Sequence, residues 1–368
     1  MNATINELIK YHSPGYDILV YRDNKTSEYI YGSMDGINKV TSNTLYDIAS
    51  LTKLFTCTLV YMAYEEKRID IYETIYNIDS NFINLKEVRV IDLIKHNQDI
   101  WTNGYLGSIN NKEEFYTILY SAYVKNKYKK YVDTHYIILG VLLEKIYNKT
   151  FEELCIEKIF SKLRMLDTTF NPDPKRCASN NYETIENSII DTNYPGIVHD
   201  KKAKKAKEFG LNLGHASIFT TGCDMLKFLK SFLDNTLLKK ETIEFMLQHE
   251  DIDSYNYNML KENIGGYDIN AMYNEMIDKN IELPVFKTYN NCGTRYKSKI
   301  IALNDVPYNA SDNSITFSGY TGPMFTIDFD NKIIILVMCN VLFKTKLSRY
   351  ERRYFTFKII DTIYNEKN

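Results

Sequence analysis

Residues 46–53 of the chain read Tyr-Asp-Ile-Ala-Ser-Leu-Thr-Lys, and a helical pattern starts inside this stretch. Apolar residues recur at helical spacing over 51–66, so Ser50 and Lys53 lie on one face at the start of a predicted helix. A serine hydroxyl is a good nucleophile only when a base removes its proton, and a lysine with suitable neighbours is able to act as that base. The free amides at a helix start also suit a developing oxyanion. This arrangement favours a nucleophilic Ser50 activated by Lys53.

The Ser-x-x-Lys spacing is weak evidence when taken alone. A chain of this length contains on the order of one such tetrad by chance. Ser50 would also serve as an ordinary helix N-cap, with no catalytic role. The wider organisation of the chain and further sequence motifs are therefore needed to choose between these two interpretations.

Strand patterns stand at both ends of the chain. Residues 16–22 and 27–31 are rich in β-branched and aromatic residues and flank a turn-like Asp-Asn-Lys, which predicts a hairpin. Residues 324–329 and 332–342 predict a second hairpin across Asp-Asn. Residues 346–368 then carry apolar side chains at helical spacing and predict a terminal amphipathic helix.

The middle of the chain is mostly helical in pattern. Helices are predicted over 51–66, 90–95, 112–123, 133–147, 151–162 and 224–233. The polar, Asn- and Tyr-rich stretches at about 172–206 and 250–312 are predicted to be long loops that face a substrate. The chain is thus predicted to be α+β, with an antiparallel sheet built from both chain ends, flanked by helices, and an inserted mostly helical domain. The sheet part would comprise 1–48 and 313–368, and the helical part 49–312, with the active site at their interface.

Five blocks of sequence, in order, resemble one known family. Residues 46–53 are similar to the Phe-x-x-Ala-Ser-x-Thr-Lys signature of the class C β-lactamase-related serine hydrolases, which include esterases, D-aminopeptidases and penicillin-binding proteins. The other blocks are VIDLIKHNQD at 90–99, YVDTHYIILG at 131–140, VHD at 198–200 with GHASIFTT at 214–221, and FSGYTG at 317–322. The VHD and GHASIFTT blocks resemble the esterase-like branch. The resemblance implies a β-lactamase/transpeptidase-like fold.

The resemblance also implies roles for individual residues. Ser50 would be the nucleophile and Lys53 its proton partner. Tyr131 would be the second acid/base group, which relays the proton to the leaving group. The backbone amides of Ser50 and Tyr320 would form the oxyanion hole.

Two of the predicted substrate-binding residues depart from the family pattern. Asp133 stands where the family usually has Asn; it can still accept a hydrogen bond from Lys53, but its charge favours the protonated amine. Phe317 stands where Lys or His is usual, and a phenyl ring makes no charge-assisted bond to a carboxylate. Ser318 keeps a hydroxyl, and Gly319 completes the predicted substrate-binding edge. We therefore expect poor turnover of β-lactams and D-Ala-D-Ala peptides, and a neutral ester, thioester or amide as the better substrate.

The histidines of these blocks are interpreted as structural. His96 and His215 would hold a loop and a helix start, and His199 would anchor a loop. No metal site is predicted, because the six cysteines are scattered singly and lack the paired spacing of zinc ligands. We expect inert free thiols, no cofactor and no metal.

Composition excludes several kinds of partner. Lys+Arg 45 against Asp+Glu 47 gives a formal charge of −2, which offers no electrostatic basis for binding nucleic acid or an anionic membrane. No apolar run is long enough to span a bilayer, and the first residues lack the pattern of a secretion signal. A cytoplasmic protein with a small acyl or peptide-like substrate is expected, and its oligomeric state is open.

Three functions are consistent with these observations. The first is a serine esterase, amidase or acyl transferase with an acyl-Ser50 intermediate. The second is a catalytically silent relative that binds an acyl or peptide ligand, which Asp133 and Phe317 motivate. The third is a β-lactamase or DD-peptidase, against which the missing export signal argues.

Overall fold

The structure is a computed structural model that describes residues 2–127, 129–180, 195–249, 289–297, 306–343 and 347–366. Its helices are α1 (Asn2–Leu8), α2 (Thr52–Glu65), α3 (Ile75–Ile78), α4 (Val90–Ile94), α5 (Lys112–Tyr120), α6 (Thr134–Tyr147), α7 (Phe151–Cys155), α8 (Ser161–Leu163), α9 (Lys201–Lys207), α10 (Gly222–Asp234), α11 (Lys240–Leu247) and α12 (Arg349–Asn365). Its strands are β1 (Gly15–Arg22), β2 (Lys25–Gly32), β3 (Tyr46–Asp47), β4 (Asp99–Trp101), β5 (Tyr123–Asn126), β6 (Phe219–Thr220), β7 (Arg295–Tyr296), β8 (Ser314–Ser318), β9 (Met324–Asp328) and β10 (Ile333–Cys339).

The main sheet joins the two ends of the chain, as the sequence predicts. Its strand order is β2-β1-β10-β9-β8-β7, and every pair is antiparallel. The β1–β2 hairpin turns through Asp23 and Asn24, which both have positive φ (53° and 60°), the conformation of a two-residue type I′ turn that suits Asn and Asp. Both predicted hairpins and the α+β fold class are confirmed. Strand β7 lies at one edge of this sheet, although its residues precede residue 313, where the predicted sheet part resumes. The predicted division into a sheet part and a helical part stays a prediction.

The two faces of the sheet bury different sets of side chains because side chains alternate along a strand. On β1, Tyr16 and Ile18 face one core, which Ile360 of α12 completes. Leu19 and Tyr21 of β1 face the other and larger core, together with side chains of α2, α6 and α10. Burying an isoleucine side chain of this kind contributes about 1.5–3 kcal/mol. The larger core packs helix α2, which carries Lys53, together with side chains of the sheet.

The predicted helices are found, with some changes at their ends. The prediction over 112–123 is too long, because Tyr123 pairs with Trp101 in the β4–β5 ribbon and α5 ends at Tyr120. The prediction over 151–162 covers α7, a π-helical turn at Ile156–Phe160 and α8. The terminal helix α12 begins at Arg349, where the Ser348 side chain and Glu351 form a capping box.

The two predicted loops are partly wrong. Within 172–206 the structure has a 3₁₀ turn at Pro174–Arg176 and the start of α9, and within 250–312 it has β7. Asp200 caps α9 by accepting hydrogen bonds from the amides of Lys202 and Ala203. Residues 181–194, 250–288 and 298–305 of these predicted loops lie outside the described residues.

Two further expectations from the sequence concern free thiols and membrane-spanning segments. All six cysteines are free, and Cys223 alone among them is exposed. Among the described residues, no helix combines the length and the hydrophobicity that a membrane crossing requires. The cytoplasmic location stays a prediction.

Candidate active site

Ser50 lies in a strained turn at the start of α2. The turn Ala49–Leu51 is 3₁₀ helical, and Ala49 has a φ of 46°, which a residue with a Cβ seldom adopts. The Asp47 carboxylate stabilises this turn, since it accepts hydrogen bonds from the amides of Ala49 (2.8 Å) and His199 (2.7 Å). Burial raises the pKa of the Asp47 carboxyl to about 6, against the lowering effect of these two amides. The turn leaves Ser50 half-buried at the surface of a cleft.

Lys53 lies beneath Ser50, one helical turn along. Its Nζ donates to Ser50 Oγ (3.0 Å), to Asp133 Oδ1 (2.9 Å) and to the carbonyl of His215 (3.2 Å). The side chain is 1% exposed. Burial lowers the pKa of the Lys53 amine, but the Asp133 carboxylate and the Tyr131 phenol outweigh burial and leave this pKa above its usual value. The hydrogen bond from Lys53 to Asp133 that the sequence allows is present in the structure. It favours the ammonium form of Lys53.

Tyr131 forms the wall beside this amine. The Lys53 Nζ lies 4.9 Å from the centroid of the Tyr131 ring. The ring is half-buried and packs against His96 (4.5 Å between centroids), Tyr289 (5.9 Å) and Phe317 (6.4 Å). The structure thus places Ser50, Lys53 and Tyr131, which come from two separate segments of the chain, next to one another, and their catalytic roles stay a prediction.

His96 holds the segment that leads to Tyr131. Its carbonyl accepts the amide of Lys130, and its own backbone is left-handed, with a φ of 53°. Its Nδ1 lies 2.7 Å from Nδ1 of His135 on α6. Burial lowers the pKa of His96 well below its usual range and that of His135 to about 3, so both imidazoles are neutral. A neutral pair behind Tyr131 agrees with the structural role that the sequence predicts for His96.

The end of β8 forms the opposite wall. Phe317 is buried, Ser318 and Gly319 are half-buried, and Tyr320 is exposed. A Cβ on Gly319 would lie 2.5 Å from the carbonyl oxygen of Ile48, so this glycine allows the strand end to approach the Ser50 turn closely. The Tyr320 ring stacks on His199, with 5.2 Å between centroids. The predicted substrate-binding residues therefore line the cleft next to Ser50.

Arg295 is a cation in this cleft that was not predicted from the sequence. It lies on β7, opposite Thr316 of β8, and its Nη2 donates to Ser318 Oγ (3.4 Å). A tight turn precedes it, in which Asn290 Oδ1 accepts the amides of Cys292 and Thr294. Phe317 stands where relatives usually carry a cation, but Arg295 on the neighbouring strand β7 places a guanidinium in the same cleft.

A second layer of charge surrounds Asp133. Lys202 Nζ lies 2.9 Å from Asp133 Oδ2 and 3.4 Å from Asp200 Oδ2, and His215 Nε2 lies 2.8 Å from Asp200 Oδ1. Burial raises the pKa of Asp133, but the nearby Lys53 and His215 outweigh burial and hold this pKa well below its usual range. Asp133, Asp200 and His215 have donor atoms within 4.8 Å of one another, a spacing also found in metal sites. Here the Lys202 ammonium contacts both carboxylates and supplies the positive charge that a metal ion would bring.

The described residues line a large cleft. Its volume is about 1070 Å³, the upper end of the range for small-molecule sites. Residues that line it include Ser50, Tyr131, Asp133, Phe317, Ser318 and Tyr320. A ligand the size of an acylated amino acid or short peptide fits this volume.

Comparison with known proteins agrees with the family suggested by the sequence blocks. A model of the Beta-lactamase family matches residues 1–354. The chain belongs to the Beta-lactamase family. This family member is 26% identical over 228 residues to the N-acetylmuramyl-L-alanine amidase of Bacillus subtilis, a match that covers 53% of this chain and 51% of that protein. The chain thus spans about half the length of this curated relative.

Solved structures of distant sequence share the fold of this family member. Simvastatin synthase (LovD) from Aspergillus terreus superposes with a TM-score of 0.71 at 18% identity, over 99% of this chain and 96% of that one. The octameric penicillin-binding protein homologue from Pyrococcus abyssi gives 0.71 at 17% identity, over 100% of this chain and 77% of that one. The predicted family and the β-lactamase/transpeptidase-like fold are confirmed.

Proposed function

We propose that this Beta-lactamase family member is a serine hydrolase that acts through an acyl-Ser50 intermediate on a small ester, thioester or amide. The observation that carries the proposal is the hydrogen bond between Ser50 Oγ and Lys53 Nζ (3.0 Å) at the wall of the cleft. The Tyr131 ring lines the same cleft, and its centroid lies 4.9 Å from that amine. An activated nucleophile requires a base within hydrogen-bond reach, as Lys53 is here.

In the acylation step, the neutral amine of Lys53 accepts the proton of Ser50 while Oγ attacks the substrate carbonyl carbon. The amides of Ser50 and Tyr320 then donate to the oxyanion, and donors of this kind contribute about 10²–10³-fold to the rate. The close approach of Gly319 to Ile48 supports this assignment, since it brings the two chain segments side by side.

As the carbonyl reforms, the bond between the carbonyl carbon and the leaving group breaks, Tyr131 passes its proton to that group, and the Lys53 ammonium returns a proton to Tyr131. The ester bond of acyl-Ser50 is then broken by water or by another acceptor that enters the same cleft. The acceptor gives its proton to the neutral Lys53, and this proton returns to Ser50 Oγ as the ester bond breaks. Water gives an esterase or amidase, and an alcohol or amine acceptor gives an acyl transferase. Phe317 and Tyr289 beside the Tyr131 ring provide an apolar surface for the acyl group.

Stoichiometric labelling of the whole chain tests this function. A fluorophosphonate is expected to add one adduct per molecule, and peptide mass spectrometry is expected to place it on Ser50. Hydrolysis of a p-nitrophenyl ester should show a burst whose amplitude equals the enzyme concentration, because acyl-Ser50 accumulates. Protein unfolded in urea is the control and should not react. An unlabelled folded protein, or a label on another residue, would contradict the proposal.

A second candidate is an amidase or peptidase for substrates that carry a carboxylate. The placement of Arg295 favours it, because a guanidinium beside the β8 edge is able to make a charge-assisted hydrogen bond with a carboxylate. The curated relative from Bacillus subtilis is named as an amidase, which supports an amide substrate.

Replacement of Arg295 distinguishes the two substrate classes. In Arg295→Gln, kcat/KM for p-nitrophenyl hydrogen succinate is expected to fall about 10- to 100-fold, since a hydrogen bond to a charged group contributes about 1.5–3 kcal/mol. The rate with uncharged p-nitrophenyl butyrate should change little. Arg68→Gln, which removes an exposed arginine paired with Glu66, is the matched control. Equal losses for both esters would argue against a carboxylate-binding role.

A further inference from the structure

Asp133 lies between two ammonium groups. Its Oδ1 accepts from Lys53 Nζ and its Oδ2 contacts Lys202 Nζ, each at 2.9 Å. Lys202 reaches this position from the first turn of α9, which Asp200 caps. The Lys53 side chain is 1% exposed and the Lys202 side chain 21%. The Asp133 carboxylate therefore bridges two ammonium groups that are largely shielded from water.

The charges of this cluster decide whether Lys53 is able to act as a base. An aspartate beside Lys53, where relatives of the family carry an uncharged asparagine, stabilises the ammonium and opposes loss of its proton. The Asp200 carboxylate adds to this effect. The Lys202 ammonium acts in the opposite direction, since it balances one of the two negative charges at hydrogen-bond distance.

We propose that Lys202 is a positioning residue for the reaction, whose ammonium neutralises Asp133 and so allows Lys53 to take the proton of Ser50. This inference rests on the proposed function and deepens it. In the step concerned, the O–H bond of Ser50 breaks, an N–H bond forms on Lys53, and Asp133 and Lys202 keep their charges. The ion pair of Asp133 and Lys202 thus takes the place of the uncharged asparagine that relatives carry at the position of Asp133.

Other polar groups also surround Lys53 and add to the electrostatic field at its amine. They are Ser50 and Tyr131, His135 on α6, His96 after α4, Tyr289, and Asp200 with His215 in the second layer of charge. None of these groups is changed in the variants below, so their contribution is common to all of them.

The test is the pH dependence of fluorophosphonate labelling at Ser50. In Lys202→Met the rate profile is expected to move to higher pH by about one unit, which is about a tenfold slower reaction at any pH below the plateau. Lys202→Arg keeps the charge and should retain the wild-type profile. Lys205→Met, on the same helix and paired with Glu208, is the matched control and should also leave it unchanged.

The decisive variant combines Lys202→Met with Asp133→Asn. Loss of both charges should return the profile to the wild-type position or to lower pH, because Asp133, the nearer of the two charges, no longer stabilises the Lys53 ammonium. A purely structural role of Lys202 predicts no shift in pH and no rescue by a second substitution. The absence of a shift in Lys202→Met, or a shift that Asp133→Asn fails to reverse, would overturn the proposal.

A second measurement separates this inference from the proposed function. The pKa of Lys53 is read by titrating its ¹³Cε resonance, assigned by its loss in Lys53→Met, and needs no catalysis. A wild-type chain without a label on Ser50 would refute the hydrolase function alone. An upward shift of the Lys53 pKa in Lys202→Met, reversed by Asp133→Asn, would still support the electrostatic role of Lys202, and an unchanged pKa would refute it.

Discussion

Replacing Ser50 with alanine is expected to abolish fluorophosphonate labelling and to lower kcat for a p-nitrophenyl ester by about a millionfold, the order of loss seen when a catalytic serine is removed. The reason is that an alanine side chain has no oxygen to form the acyl ester, and Lys53 would lose the hydroxyl that its Nζ contacts at 3.0 Å. Intact-protein mass spectrometry and steady-state hydrolysis measure the two effects. The thermal unfolding midpoint should change little, because Ser50 is only half-buried.

The control for this prediction is Ser231→Ala. Ser231 is buried in α10, and its hydroxyl donates to the carbonyl of Phe228, away from the cleft. This variant should lose some stability and keep full activity per folded molecule. If wild type and Ser50→Ala hydrolysed the ester equally slowly and bound the same acyl ligand with equal affinity, the chain would be a catalytically silent binding protein.

Much of the fold follows from local patterns. Tyr16 and Ile18 alternate with Leu19 and Tyr21 about the sheet, and this period of two is visible in the sequence. The Asp23-Asn24 turn is equally local, because the residue types suit the left-handed backbone that the turn adopts. The proposed catalytic groups, in contrast, are predicted by short motifs rather than by periodicity.

Lys202 and Arg295 show what the sequence does not reveal. Lys202 belongs to a Lys- and Ala-rich helix with no broad apolar stripe, and a pattern of that kind resembles a solvated segment. Arg295 lies on a two-residue strand, too short to produce an alternating pattern. The partners of both residues, Asp133 and Ser318, are distant in sequence, so only the folded chain brings the opposite charges and the cleft together.

The ion pair between Lys53 and Asp133 bears on the choice between an active serine hydrolase and a catalytically silent binding protein. The carboxylate positions the amine under Ser50 and also stabilises its protonated form. The activity of a site with this pair should rise with pH, and a cation beside Asp133 lowers the pH that the reaction needs. The Lys202 ammonium, 2.9 Å from Asp133, lies where such a cation would act.

Replacing Lys53 with methionine, which has a similar length and no charge, is expected to slow labelling of Ser50 by about 10²–10⁴-fold, the usual contribution of a general base. It should also change the pH dependence. Burial lowers the pKa of Lys53, but Asp133 and Tyr131 outweigh burial and leave it above its usual value. In wild type the neutral amine, and with it the labelling rate, should therefore rise about tenfold per pH unit between neutral pH and the Lys53 pKa. Lys53→Met should lose this slope, as measured by stopped-flow labelling across the pH range.

Lys145→Met is the matched control for Lys53→Met. Lys145 pairs with the buried Asp79 (2.7 Å), so its loss also removes an ion pair to a buried carboxylate, but on the outer side of α6. This variant should be destabilised and yet keep both the labelling rate of its folded fraction and the slope with pH. Lys53→Met protein that folds, as judged by circular dichroism, and labels at the wild-type rate would exclude Lys53 as the base. A wild-type slope retained in Lys53→Met would show that a group other than Lys53 governs the pH dependence.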